Sequence, residues 1–247
     1  MEVPVAMHKV VAHDEWVKAR KKHLAKEKEF TRLRDQLSRE RRELPWELVE
    51  KDYVFEGERG KHALSDLFDS RGQLVIYHAM FNPETAGPST TWTADAPCFS
   101  CSFWMDNFNG ITVHLNHRDI KLAAVSRAPV AALTAYKQRM GWSFPWYSSA
   151  ASDFNLDYGV SFTEAELQAG KVHYNYRIDP SHGLSELPGI SVFLKDDDGR
   201  IFHTYSAYAR GLDMLNVAYH YMDLVPKGRD EGGNGQAWVR RRDEYAS

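Results

Sequence analysis

The sequence has only two cysteines among its 247 residues, and both lie in the segment APCFSCSFWMDNFNG. It also lacks an excess of basic charge, with 31 Lys and Arg against 34 Asp and Glu, so no overall positive field indicates nucleic acid or an anionic membrane as a partner. No apolar stretch reaches the roughly 18 to 20 residues of a membrane span, and Pro4, His8 and Lys9 interrupt the N-terminal residues where a secretory signal would be apolar. We therefore expect a cytoplasmic protein, in which a close cysteine pair is redox-active or metal-binding rather than a structural disulfide.

A long basic helix is predicted from Asp14 to Glu43, where Pro45 ends the helical pattern. Its narrow apolar stripe consists of Leu24, Phe30, Leu33 and Leu37. From Lys18 to Glu43 there are eleven Lys and Arg against five Asp and Glu, which suits either a solvated face or an acidic partner. A stripe this narrow is also typical of helices that pair across a twofold axis, which leaves a homodimer open.

The remaining pattern predicts an α/β fold. The apolar runs QLVIYHAMF and KLAAVS have the length of buried strands, and predicted helices follow each of them, from about Phe99 to His117 and in APVAALTAYKQRMGW. The segment GISVFLKDDDGRIFHTYSAY is a hairpin around Asp198-Gly199, and LDMLNVAYHYMDLVP is a last amphipathic helix. Parallel strands joined by helices, followed by a hairpin, give a central mixed sheet flanked by helices.

The pair Cys98-Phe99-Ser100-Cys101 is predicted to lie where a loop enters a helix after a buried strand. Free N–H groups in the first turn of a helix stabilise a thiolate, so Cys98 is expected to ionise easily and to stay reachable. Cys101, one turn further on, is close enough to form a disulfide with it. This arrangement suits thiol–disulfide exchange, and it would equally suit reduction of a peroxide through a sulfenic acid.

Two other interpretations of the pair stay open at this point. Cys98 and Cys101 together with His114 and His117 nearly match the spacing of a Cys2His2 zinc site, although the histidine spacing is one residue short. The cysteines could also be two buried apolar side chains without chemistry.

Several stretches resemble a bacterial family known as domain of unknown function 899, a thioredoxin-like group predicted to be dithiol–disulfide oxidoreductases. The matching stretches lie between about Leu44 and Glu231 and include LPWELVEKDYVFEG, QLVIYHAMF, CFSCSFWMDNFNG, RMGWSFPWYSS, SDFNLDYGVSF and YMDLVPKGRDE. The hairpin and loop before the central strand also resemble peroxiredoxin-like members of the thioredoxin superfamily. The sequence lacks the short proline-threonine motif that peroxiredoxins place before their cysteine.

The resemblance implies a thioredoxin-like fold with a long N-terminal helix, with Cys98 as the nucleophile and Cys101 as the resolving cysteine. It also implies that Pro188, just before GISVF, is a cis-proline facing the cysteines. The corresponding division of the chain is an N-terminal helical extension at 1–48, the thioredoxin-like domain at 49–231 and a C-terminal tail at 232–247. No Asp or Glu lies in the central strand, so the usual proton acceptor near the resolving thiol is missing or replaced in the region of Tyr77 and His78.

Other polar residues are candidates to support the site or to bind substrate. Sixteen residues separate Phe81 from Cys98, and this loop could cover the site, with Trp92 and Asp95 lining it. Ser126 and Arg127 end the second buried strand on the side where α/β sheets place their ligands, and Arg127 could stabilise a thiolate. Arg210 could do the same.

The function expected from the sequence is that of a cytoplasmic thiol–disulfide oxidoreductase that needs no cofactor or metal. Its partners would be a protein or small-molecule disulfide and a thiol reductant, with no nucleic acid and no membrane. The alternatives are a peroxiredoxin-like thiol peroxidase and a non-enzymatic thioredoxin-fold binding protein that docks through its basic helix.

Overall fold

The computed structural model describes residues 8–181, 183–233 and 235–245. Its strands are β1 Glu47–Leu48, β2 Val54–Gly57, β3 Gly60–Ala63, β4 Gln73–His78, β5 Ile120–Ser126, β6 Trp146–Ser148, β7 Lys171–Tyr174, β8 Arg177–Pro180, β9 Gly189–Lys195 and β10 Ile201–Tyr208. Its α-helices are α1 His13–Arg42, α2 Phe99–Met105, α3 Phe108–His117, α4 Val130–Met140, α5 Phe154–Asp157, α6 Glu164–Gln168 and α7 Val217–Met222.

One mixed sheet organises the described residues, with the strand order β1-β10-β9-β4-β5-β6-β2-β3. Strand β4 lies at its centre, parallel to β5 and antiparallel to β9, so that Ile76 is paired with Ala123 on one side and with Ser191 on the other. Strands β9 and β10 form the predicted hairpin, in which Gly199 adopts a φ of 80° that favours glycine at the turn. Strands β7 and β8 form a separate small hairpin.

This topology confirms the predicted fold class. Strand β4, helices α2 and α3, strand β5 and helix α4 form the parallel half of a thioredoxin-like fold, and the β9–β10 hairpin forms the antiparallel half. Side chains of β4 alternate between two cores, because successive residues of a strand point to opposite faces. Leu74 and Ile76 pack with Phe154 and Phe193, whereas Tyr77 belongs to the core that contains both cysteines.

Two predicted helices are interrupted in the structure. The helix expected from Phe99 to His117 is divided into α2 and α3 at Asp106-Asn107, where the Asp106 carboxylate accepts a hydrogen bond from Trp142 Nε1 and Asn107 Nδ2 donates to backbone carbonyls of α2. Asp and Asn side chains commonly compete with helical backbone bonds in this way. The last amphipathic helix is a 3₁₀ turn, Ala209–Leu215, followed by the short helix α7, which Asn216 caps through its side chain.

The N-terminal helix and the C-terminal tail differ in how far their side chains are buried. None of the residues of α1 is buried, although β1 joins the sheet beside β10 directly after it. Near the other end, Val239 is fully buried against the body. The division at 48 and 231 stays a prediction, and residues 1–7, 234 and 246–247 of the two predicted extensions lie outside the described residues. No described helix has the length and apolar composition needed to span a membrane.

Candidate active site

The two thiols are held against the residues that follow β4. Cys98 is the N-cap residue of α2, and its N–H donates to the Met80 carbonyl at 2.9 Å. In return, the Met80 N–H points to Cys101 Sγ at 3.4 Å. The two thiols are close enough for each to shift the pKa of the other. The structure therefore places the pair where a loop enters a helix, at the end of the central strand.

The surroundings of Cys98 favour its thiolate form. Burial alone raises the pKa of this thiol, but hydrogen bonds from Cys101, from Thr91 and from the N–H groups of Cys101 and Ser100 outweigh it and lower the pKa to about 6. The first-turn N–H groups therefore stabilise the thiolate together with Cys101 and the Thr91 hydroxyl, two donors that were not predicted from the sequence.

Cys101 is held in the opposite state. Burial, the hydrogen bond with Cys98 and the negative charge on Cys98 together raise its pKa well above the ordinary range. The Met80 N–H and the Tyr77 hydroxyl act in the other direction and stabilise its thiolate. The site therefore holds one sulfur as a nucleophile and keeps the other as a proton-bearing neighbour.

Thr91 is a site residue that sequence reasoning missed. Its hydroxyl is buried and makes no hydrogen bond among the described residues, yet it is close enough to Cys98 to lower the pKa of that thiol. A thiolate on Cys98 accepts the hydrogen bond that this donor otherwise lacks. The Thr91 carbonyl also accepts a hydrogen bond from the Phe99 N–H at 3.3 Å, which fastens the loop to α2. In the sequence, Thr91 is one of several threonines in a polar loop, so nothing distinguished it.

The loop at 82–97 closes the site more tightly than expected. Trp92 is buried and donates from Nε1 to the Asn82 carbonyl at 2.9 Å, which holds the second half of the loop against its first residue. Cys98 is only 2% exposed and lies close to Thr91 of this loop, so the expectation that this thiol stays reachable is wrong for this structure. Asp95 is exposed and accepts a hydrogen bond from the Thr93 hydroxyl at 2.7 Å, which lowers its pKa. Trp92 therefore shapes the cover, while Asp95 faces outward.

Pro188 lies beside the thiols by topology but differs from the resemblance in its geometry. It directly precedes β9, whose Gly189 is paired with His78 of the central strand. The Leu187–Pro188 peptide bond is trans, like every other peptide bond of the described residues, so the expected cis form is absent. Its carbonyl accepts a hydrogen bond from the Tyr174 hydroxyl at 2.6 Å, and Tyr174 approaches Cys101 closely enough for that thiol to raise its pKa further, beyond the effect of burial. Tyr174 was not foreseen.

Of the three remaining candidates, two lie near the site and one is engaged elsewhere. Ser126 is fully buried at the end of β5, donates to the Ala79 carbonyl at 2.6 Å and accepts from Trp146 Nε1, so it positions the backbone next to Met80. Arg127 is half-buried, and its charge acts on the carboxyl of Glu186. Arg210 is highly exposed and forms an ion pair with Asp213 at 3.0 Å.

Glu186 is a second residue that the sequence did not reveal. Its carboxyl group is buried and accepts hydrogen bonds from the Phe81 N–H at 3.0 Å and from the Ser161 hydroxyl at 3.2 Å. Burial raises its pKa to about 7, against the opposing effects of Arg127, Ser161 and the Phe81 N–H. Glu186 thus fixes the backbone of Phe81, the residue that precedes the loop at 82–97. In the sequence, SELPG looks like an ordinary polar turn.

The C-terminal tail reaches the residue that precedes Cys98. The guanidinium of Arg241 is buried and donates two hydrogen bonds to the Pro97 carbonyl, from Nη2 at 2.7 Å and from Nε at 3.2 Å. Glu244 holds the other side of the guanidinium at 3.1 Å. Phe103 of α2 packs edge-on against Trp238 with ring centroids 5.6 Å apart. In the sequence, Arg241 is the middle one of three consecutive arginines, and nothing there distinguishes it as buried.

The structure does not bring together the four residues of the zinc interpretation. His114 and His117 line a surface pocket with Arg71 and Arg118, whereas both cysteines are buried. Within the described ranges, no group of three or more His, Cys, Asp or Glu side chains is placed to hold a metal ion.

Comparison with known proteins identifies the family of the chain. Residues 5–245 match the family described as "Bacterial protein of unknown function (DUF899)". No curated protein sequence matches the chain. Among solved structures, peroxidoxin BcpB from Mycobacterium tuberculosis is 15% identical, covers 69% of this chain and 92% of its own, and has a TM-score of 0.42. Peroxiredoxin Q from Xanthomonas campestris is also 15% identical, covers 70% of this chain and 93% of its own, and has a TM-score of 0.44. The mitochondrial 2-cys peroxiredoxin from Plasmodium falciparum is 12% identical, covers 70% of this chain and 90% of its own, and has a TM-score of 0.39. At such identities these structures define no activity for the chain.

Proposed function

The chain belongs to the family described as "Bacterial protein of unknown function (DUF899)", and from that premise we propose that it is a dithiol–disulfide oxidoreductase. The observation that carries the proposal is the placement of two free thiols close enough for each to shift the pKa of the other, with Thr91 and the first-turn N–H groups of α2 directed at Cys98. Such an environment creates a nucleophilic thiolate with a resolving thiol beside it.

The reaction would proceed in two exchanges. The Cys98 thiolate attacks one sulfur of a substrate disulfide, forms a mixed disulfide and releases the other sulfur as a thiolate, which takes a proton. Cys101 then loses its proton and attacks the Cys98 sulfur, which releases the second substrate thiol and leaves a Cys98–Cys101 disulfide. The substrate gains two electrons and the cysteine pair loses two, so a thiol reductant is needed to restore the pair.

Tyr77 supports the second exchange. The Cys101 thiol must ionise for this step, although its surroundings favour the protonated form. Once Cys98 is bound in a mixed disulfide, its negative charge is gone and one cause of that preference disappears. The hydrogen bonds from Tyr77 and the Met80 N–H then stabilise the Cys101 thiolate as it attacks.

Access to Cys98 requires movement of the loop at 82–97, because the thiol is buried and lies close to Thr91 of this loop. The substrate would be a small-molecule disulfide or an exposed protein disulfide that enters when the loop opens. The same proposal includes a cytoplasmic location, where a thiol reductant is available.

A thiol peroxidase is the second candidate, favoured by the enclosed site and by the Thr91 hydroxyl beside Cys98. The Cys98 thiolate would attack one oxygen of a peroxide and become a sulfenic acid, while the O–O bond breaks and the other oxygen takes a proton and leaves as an alcohol or water. Cys101 would then condense with the sulfenic acid, releasing water and forming the same disulfide.

The test traps the mixed disulfide. In Cys101→Ser the first exchange proceeds and the second cannot, so disulfides and cell proteins should stay attached to Cys98 and be identified by mass spectrometry. Cys98→Ser is the matched control and should trap nothing. Peroxide consumption with a dithiol reductant, measured on the wild-type chain, distinguishes the second candidate. If Cys101→Ser traps no more than Cys98→Ser and peroxide is not consumed, both functions are excluded.

A further inference from the structure

Helix α1 is 30 residues long, yet none of its residues is buried. At about 1.5 Å per residue it extends for roughly 45 Å, and along this length it buries no side chain against its own body. Its last turn contacts the body where the Arg41 guanidinium lies 4.7 Å from the centre of the Tyr205 ring.

One face of α1 carries large apolar side chains exposed to water. Phe30, Leu33 and Leu37 follow helical spacing on that face, and Trp16 lies on the same face four turns earlier. The expectation that Leu24 shares this stripe is wrong, because Leu24 lies roughly 120° around the helix from Phe30 and belongs to a different face. Within the described part of α1, ion pairs between its own residues converge on Glu27, from Arg20 and His23. So few pairs do not stabilise an isolated polar helix, and most helices gain their stability by packing an apolar face.

The charges of the chain are separated between α1 and the rest. Helix α1 has eleven Lys and Arg against six Asp and Glu, a net charge of +5, which leaves −8 for the remaining residues. Two such helices repel each other, whereas a helix of one copy is attracted to the body of another. A second copy offers this complementarity twice, because each chain supplies one basic arm and one acidic body.

The body also exposes apolar side chains, in a patch around α7. Val217 and Tyr221 lie one turn apart on α7, Leu224 and Val225 follow just after its end, and Leu224 is 81% exposed. Met214 extends this patch from the preceding turn. Exposed apolar side chains grouped in this way mark an interaction site.

We propose that the chain forms a homodimer by arm exchange, in which the Phe30–Leu33–Leu37 face of α1 packs on the α7 patch of a second copy. The apolar face from Trp16 to Leu37 is about 33 Å long and, at a width of about 10 Å, covers an area on the order of 330 Å². Two arms, with the surfaces of both partners counted, bury about 1,300 Å², which is within the range of a specific interface. This inference is independent of the proposed redox function.

Sedimentation equilibrium of the full chain over a roughly hundredfold concentration range tests the proposal. The wild-type chain should have twice the 28.3 kDa mass of one copy. Leu33→Ser in the arm and Leu224→Ser in the patch should each weaken the dimer roughly hundredfold, because each lost apolar contact occurs twice. Leu24→Ser, an equal change on another face of α1, should leave the dimer intact. A wild-type monomer, or equal effects of Leu24→Ser and Leu33→Ser, would overturn the proposal.

Salt distinguishes arm exchange from pairing between two α1 helices. An arm bound to an acidic body should dissociate more readily when NaCl rises from about 0.05 M to about 0.5 M, since salt screens the attraction. Two paired basic helices would respond in the opposite direction, because salt screens their repulsion. A dimer that tightens with salt, or that survives Leu224→Ser unchanged, contradicts arm exchange. Far-ultraviolet circular dichroism, together with the unfolding midpoint of the body, checks that each variant is folded.

Discussion

Replacing Thr91 by valine isolates one hydrogen bond to the Cys98 thiolate. Valine has nearly the same shape as threonine and lacks the hydroxyl that, in the described residues, is buried without a nitrogen or oxygen partner. The substitution therefore removes a donor that can act only on the sulfur, while the packing of the loop is kept. We expect the pKa of Cys98 to rise.

The size of the rise follows from the energy of a hydrogen bond to a charged group. Such bonds contribute about 1.5 to 3 kcal/mol, and one pKa unit corresponds to about 1.4 kcal/mol. Thr91→Val should thus move the Cys98 pKa from about 6 up by about 1 to 2 units. The other donors, from Cys101 and the first-turn N–H groups, remain and keep the pKa below that of free cysteine, about 8.5.

Absorbance of the thiolate near 240 nm, followed against pH, measures this shift without requiring any reagent to reach the buried sulfur. The Cys98→Ser chain supplies the background to subtract. Thr93→Val is the matched control, since the Thr93 hydroxyl bonds to Asp95 rather than to a cysteine. Stability gives a second readout: the lowered thiol pKa stabilises the folded chain fully above about 8.5, and this contribution is lost as pH falls through about 6. Thr91→Val should reduce it.

A Cys98 pKa that is unchanged in Thr91→Val would refute the assigned role of Thr91. An equal shift in Thr93→Val would show that the loop as a whole, and not one hydroxyl, controls the thiolate. A wild-type pKa near the free-cysteine value would remove the basis for the proposed thiol chemistry itself.

Two further predictions concern residues that support the site. Glu186→Gln should make the chain more stable than the wild type at pH 8, by up to about 3 kcal/mol. Burial raises the pKa of the Glu186 carboxyl to about 7, so the stability that this group contributes to the folded chain is full below about pH 4.5 and is lost as pH rises through 7. Urea unfolding at pH 5 and pH 8 measures the difference, and the exposed change Glu164→Gln should show no such dependence on pH. Arg241→Gln should lower the free energy of urea unfolding by about 2 to 3 kcal/mol, since it leaves the Pro97 carbonyl without its two charged donors. Arg242→Gln should cost less than about 0.5 kcal/mol, because its ion pair with Asp106 is long and partly exposed. Equal losses in the two arginine variants would contradict a special role for Arg241.

The central part of the fold was predictable because its signals are local. Apolar runs of strand length gave β4 and β5, the Asp198-Gly199 turn gave the β9–β10 hairpin, and Gly141 marked the end of α4. The break between α2 and α3 was not predictable, because it depends on the Asp106 side chain meeting Trp142 from a distant segment. Hydrophobic periodicity continues through that break and conceals it.

The candidate site was predictable only in its cysteines. Their spacing and their place after a strand are visible in sequence, whereas Thr91, Glu186 and Arg241 become site residues through contacts between segments far apart in the chain. Their residue types are common in polar loops and tails. The cover over Cys98 has the same origin, since it depends on Trp92 folding back onto Asn82.

Because the nucleophile lies under a cover, its chemistry is gated by an opening step. Every reagent, whether substrate, alkylating agent or oxidant, would react at a rate set by the fraction of time that the cover is lifted, multiplied by the intrinsic rate in the open form. At high reagent concentration all of these rates would converge on one ceiling, the rate of lifting itself. The same gate would shield an easily oxidised sulfur from irreversible damage while the protein waits for its partner.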